Sequence, residues 1–90
     1  MSDVVRDKIY GLLEEHAGVR ARDILGINTL EGDLGMDDLD KVEFILAVED
    51  EWGFEVLDED EGRMGTVDET VDYIKGRIKE KSDRKEKGLS

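Results

Sequence analysis

Apolar side chains in this chain recur at intervals of three and four rather than two, and that spacing commits it to helices. In a first segment Val5, Ile9, Leu12 and Leu13 share one face, Ser2 or Asp3 can cap the start, and Gly18 can close the end. The reading is a helix over about residues 3–17. A middle segment starts at Asp37 or Asp38 and runs to about Trp52. The last opens with Thr66-Val67-Asp68-Glu69, where Thr66 and Glu69 can satisfy free backbone amides reciprocally, and continues with Val67, Val71, Ile74 and Ile78 at helical spacing. The class is all-α.

Residues 18–36 break the pattern. Glycines interrupt them, and Val19, Ile24, Leu25, Ile27, Leu30 and Leu34 fall at irregular intervals. This reads as a long loop pinned to the core, with one helical turn near Arg22–Leu25. A loop of that length in a compact domain is more often functional than idle. Asp58–Arg63 is assigned a short extra helix.

Ninety residues allow one small domain with a limited core. Its net charge of -12 opposes a phosphate backbone, which argues against nucleic acid and favours basic protein partners. The charge is uneven: residues 1–74 hold 22 acids and 6 bases, a net of -16, whereas residues 75–90 hold 3 acids and 7 bases, a net of +4. Glu80–Lys87 contains no apolar residue to anchor it, so the domain is drawn at 1–79 and a charged flexible tail at 80–90. Without cysteine there is neither a disulfide nor a thiolate metal site. No apolar run approaches a membrane span, and Met1-Ser2-Asp3 does not begin a signal peptide, so a soluble, cytoplasmic protein is expected.

At about 100° per residue the middle helix carries two apolar stripes. Phe44, Ile45, Val48 and Trp52 form one wide enough to face the core. Leu39, Val42 and Leu46 form a second about a third of a turn away, edged by Glu49 on one side and by Glu43 and Asp50 on the other. Such a ribbon suits a docking site. It equally suits a surface covered by the long loop, and the residues alone leave both readings open.

The stretch Gly32–Val56, GDLGMDDLDKVEFILAVEDEWGFEV, resembles the modification-site helix of acyl carrier proteins. The similarity runs without gaps from about Gly18 to Ile74 and includes Asp-Leu-Gly at Asp33–Gly35, Asp-x-Leu-Asp at Asp37–Asp40 and Asp-Tyr-Ile at Asp72–Ile74. It implies a small antiparallel four-helix bundle, three main helices plus a short one, with a long loop after the first and with the second helix facing partner enzymes. By that analogy Leu39, Val42 and Leu46 would touch apolar patches on partners, while Asp37, Asp40, Glu43, Glu49 and Asp50 would meet arginines and lysines. The implied partners are basic surfaces of acyl-transferring or acyl-processing enzymes of fatty-acid or polyketide-type biosynthesis, met by a monomer.

One departure is decisive. Where the family has the serine whose oxygen bonds 4'-phosphopantetheine, this chain has Asp38, and a carboxylate cannot form that phosphodiester. No cofactor is therefore expected as written, and 4'-phosphopantetheine is expected only if Asp38 were serine. Ser2, Ser82, Ser90, Thr29, Thr66 and Thr70 lack the Asp-x-Leu-Asp setting and are not substitutes. Asp38 has a bland explanation in the helix dipole and a sharper one, that its charge imitates the phosphate of a modified serine. Further departures are Met36 where a small residue is usual, Trp52 where phenylalanine is common, and Leu57 where many members have proline. The added volume of Trp52 is expected to encroach on the space in which carriers shelter an acyl chain.

Other chemistry is weak. Asp58-Glu59-Asp60-Glu61-Gly62 fails the EF-hand spacing, His16 has no second soft ligand, and no carboxylate pair is marked for a sheltered pocket, so neither a metal site nor an enzyme is expected. Three functional readings remain: a carrier-like module that docks enzymes without cargo, an ordinary carrier whose serine was replaced by design, and an acidic interaction domain unrelated to acyl metabolism.

Overall fold

The structure is a computed structural model that describes residues 3–89, with side chains through residue 82. α1 spans Val4–Ala17, α2 Asp38–Trp52 and α3 Val67–Leu89, and two 3-10 turns occupy Ala21–Asp23 and Asp58–Arg63. Among the described residues there is no strand, only an isolated antiparallel bridge between Thr29 and Thr66. The chain is an all-helical bundle in which α1 packs against both α2 and α3.

Each helix begins on a side chain that satisfies amides the helix leaves free. Asp3 caps α1 by accepting from Arg6 N at 3.0 Å, and Gly18, at φ 72°, closes it; Ser2, the other candidate cap, lies outside the described residues. α2 begins on a reciprocal pair: Asp37 accepts from Asp40 N at 2.8 Å, and Asp40 accepts from Asp37 N at 3.2 Å. At the start of α3, Glu69 accepts from Thr66 N at 3.0 Å and Thr66 Oγ1 accepts from Glu69 N at 3.1 Å. The next two amides, of Val67 and Asp68, donate to Asn28 O and Gly26 O, each at 2.9 Å. The long loop thus completes the cap of α3.

That loop also enters the interior. Ile24, Leu30, Leu34 and Met36 are buried with Ile9 and Leu13 of α1, Phe44 and Val48 of α2, and Val67, Val71 and Ile74 of α3. Each fully buried side chain of this size contributes about 1.5–3 kcal/mol. Helices of 14 and 15 residues owe their stability to that shared interior more than to propensity. Val5, Leu12, Ile45, Trp52 and Ile78, counted by spacing with the core, are half-buried at its margin.

Two buried residues of α3 escape the spacing argument, Thr70 and Tyr73. Thr70 Oγ1 donates to Thr66 O at 2.8 Å, which removes the cost of burying its hydroxyl. Tyr73 donates its phenol proton to Asp60 at 2.8 Å, Arg77 donates to the phenol oxygen at 2.7 Å, and the guanidinium groups of Arg63 and Arg77 lie over the ring. Burial, and after it the bond to Asp60, raises the Tyr73 phenol above its ordinary range. This network fastens the second 3-10 turn to α3.

Helical backbone continues through residues 80–89, the segment whose composition suggests a fraying tail. A tie invisible to the apolar count lies at its base: Lys81 Nζ donates to Trp52 O at the end of α2, at 3.0 Å.

Asp37 and Asp38 make a sharp contrast for mutation, since one caps α2 and the other projects fully into solvent from its first turn. Asp37→Ala should lower unfolding stability by about 1 kcal/mol in urea titrations, whereas Asp38→Ser should stay within the scatter of surface changes. At α1, the ion-paired hydrogen bond with Lys75, then the Arg6 amide, lowers the Asp3 carboxyl below its ordinary 3.8. A depressed carboxyl adds stability that is complete above the unfolded value and disappears as pH falls through the folded one. Asp3→Asn should therefore destabilise at pH 7 and flatten the loss of stability below about pH 4. Parallel acid curves for parent and variant would contradict this.

Candidate functional site

α2 presents the two stripes in the phase expected from its sequence. Phe44 and Val48 are buried, whereas Leu39, Val42 and Leu46 are 64%, 50% and 58% exposed. The loop does not cover this second stripe: Ile24, Leu30, Leu34 and Met36 are engaged in the core, while its Leu25 and Ile27 are themselves exposed. Three neighbouring apolar side chains of α2 therefore stand in water.

The acids around the stripe are not equivalent. Asp37 and Asp40 each commit an oxygen to the cap of α2. Glu49 is half-buried and accepts from Val56 N at 2.7 Å, so its carboxylate anchors the chain leaving α2. Glu43 is exposed, with Oε2 4.0 Å from His16 Nδ1 of α1. Asp50 is exposed and has no ion pair or side-chain hydrogen bond among the described residues. Glu43 and Asp50 are thus the stripe's accessible charges, on the edge opposite Glu49.

Asp38, the residue that the resemblance aligns with the attachment serine, is the first residue of α2. Its Oδ1 lies 4.0 Å from Lys41 Nζ, and Lys41 in turn pairs with Glu31 of the loop. The hydrogen bond to Glu31 raises the Lys41 pKa and keeps it cationic. Beside them opens a cleft of about 700 Å³ between one flank of α2, the loop at Thr29–Gly32 and the end of the second 3-10 turn. Asp38 and Lys41 line it together with the apolar Leu30, Phe44, Ile45 and Met64. Val42 belongs both to this cleft and to the exposed stripe.

Trp52 does not line the cleft. It lies at the far end of α2, where Lys81 bonds its carbonyl. Sequence reasoning passed over Glu31, Lys41 and Met64. Only Lys41 carried a local signal, three residues after Asp38 and on the same flank as Ile45.

The remaining candidates have structural employment. Asp60 of the acidic run accepts from Tyr73 and pairs with Arg77 at 3.7 Å. His16 sets its ring edge against Phe44, with centroids 6.5 Å apart. Among the described residues no group of three or more His, Cys, Asp or Glu side chains can hold a metal, and no helix is long and apolar enough to cross a membrane.

As for 4'-phosphopantetheine, the side chain at the start of α2 does not suit it: the oxygens offered by Asp38 are carboxylate oxygens. Thr29, the hydroxyl residue lining the same cleft, has its Oγ1 engaged with the amides of Gly32 and Asp33 at 3.1 and 3.0 Å.

No protein-family model matches the chain. It is similar to the acyl carrier protein of Chlorobium luteolum (strain DSM 273 / BCRC 81028 / 2530), with 39% identity over 70 residues that cover 78% of this chain and 90% of that protein. An all-helical bundle with this likeness over most of its length is a member of the acyl carrier protein family, a family of carriers rather than catalysts.

Proposed function

We propose that this chain is an acyl-carrier-like module of fatty-acid or related biosynthesis, working in the cytoplasm, that docks acyl-processing enzymes through α2 without carrying cargo. The observation that supports this most is the bare stripe of Leu39, Val42 and Leu46, edged by the accessible carboxylates of Glu43 and Asp50 and followed back along α2 by the exposed Asp38. Covering a leucine completely is worth about 1.5–3 kcal/mol, and these side chains are only partly exposed, so the stripe supplies a few kilocalories before the cost of association. Rim ion pairs add about 0.2–1 kcal/mol each and are screened by salt. The apolar stripe therefore provides affinity, while the acids orient a basic partner and speed its approach. Roughly micromolar, salt-sensitive binding is the expected mode.

Asp38 stands in this proposal where the attachment serine would be. Its carboxylate supplies a single negative charge near the place of the family's phosphodiester, so a partner that reads charge there still finds one.

The cleft favours a second reading, an ordinary carrier whose serine was replaced. An apolar floor of Leu30, Phe44, Ile45 and Met64 opening beside Asp38 suits the sheltering of a tethered chain. The two readings share the docking helix and differ in the origin of Asp38.

Incubating parent and Asp38→Ser with coenzyme A and a phosphopantetheinyl transferase, followed by intact mass, tests both. The variant should gain the 4'-phosphopantetheine mass and the parent should not. An adduct on the parent would overturn the cargo-free proposal. Transferase affinity should fall about ten-fold for Leu39→Ala or Leu46→Ala, and less for Glu43→Gln, whose effect should vanish at high salt. Indifference of binding to all three changes would remove α2 as the docking surface and leave the acidic domain of unrelated function.

A further inference from the structure

The last turn of α2 is electrostatically unfavourable on its own. Glu49, Asp50 and Glu51 lie at the negative end of the helix dipole, and the turn contains no base. Beyond the Gly53 amide, which donates to Glu49 O at 2.8 Å, its ties come from other parts of the chain. Lys8 of α1 pairs with Glu51 at 3.0 Å, and the Val56 amide donates to Glu49. Lys81 of α3 donates to Trp52 O, one of the terminal carbonyls that a helix cannot satisfy internally.

Gly53 leaves room for the Lys81 contact as it stands. This residue closes α2 at φ 69°, and a Cβ there would fall 2.5 Å from Lys81 Nζ. A glycine thus provides both the left-handed turn and the opening through which the ammonium reaches the helix end. Lys81 brings the positive charge of its ammonium to that end. It also lies beyond Ile74, where the gapless resemblance to carriers stops.

Resting on the docking role proposed for α2, we infer that Lys81 is a positioning residue, which holds the C-terminal half of α2 so that Leu46 and Asp50 meet a partner. Leu39, seven residues before Leu46 and next to the self-contained Asp37–Asp40 cap, does not depend on it. The two halves of the proposed docking helix are therefore supported separately, one by its own cap and one by ties from other segments that include Lys81 of α3.

Amide exchange tests the tie without any partner. In Lys81→Met, which keeps an unbranched stem and removes the charge, amides of residues 51–53 should exchange about three-fold faster than in the parent, those of residues 41–44 should not change, and Lys81→Arg should restore protection. Equal exchange at both ends of α2, or an arginine variant no better than the methionine, would overturn the inference. Docking is then read as affinity for a phosphopantetheinyl transferase in a double-mutant cycle. Lys81→Met should weaken binding about three-fold in the parent and in Leu39→Ala, and have no effect in Leu46→Ala. The same loss in both leucine backgrounds would overturn the positioning role. A parent that does not bind, together with the expected exchange pattern, would sink the docking proposal and the positioning role with it while leaving the tie itself intact.

Discussion

Ile24, Leu30, Leu34 and Met36 reach the interior from the connection between α1 and α2, and the character of α2 follows from their doing so. A loop with four buried anchors, whose carbonyls also receive the first amides of α3, cannot lie across the outer face of the helix it precedes. The choice between a covered and an open stripe is thus made by a segment that itself lies outside the three α-helices.

The same economy governs the charges. A net of -12 invites the reading that any acid near α2 is available to a partner. In the folded chain Asp37 and Asp40 set where α2 begins, Glu49 holds the strand of chain leading to Val56, and Asp60 secures the wall of the cleft to Tyr73 and Arg77. The acids of α2 outside such bonds form a smaller set, Asp38, Glu43 and Asp50, beside the exposed Leu39, Val42 and Leu46. The proposed docking role rests on α2, and the hydrogen bonds separate the acids that hold the fold from those that such a role could use.

Features written within a few residues were legible in the sequence: the Asp3 cap, the Thr66–Glu69 box, the Asp58–Arg63 turn and the phase of the two stripes on α2. The first 3-10 turn came one residue earlier than its glycine and apolar spacing suggested. Tertiary partnerships were not legible. Tyr73 reads as a misplaced polar aromatic until Asp60 and Arg77 approach it, Glu49 reads as a rim charge until the chain turns back at Val56, and the cleft beside Asp38 exists only because the loop and the second 3-10 turn stand apart from α2.

Asp50 illustrates where such a surface leads. It adds repulsion to Glu49 and Glu51 at a helix end that already disfavours negative charge, and no bond within the described residues compensates it. A redesign guided by thermal robustness alone would choose this position early and install lysine. The product would withstand heat better, and under the proposed docking role it would lose an edge charge, because the liability and the proposed recognition edge are the same carboxylate.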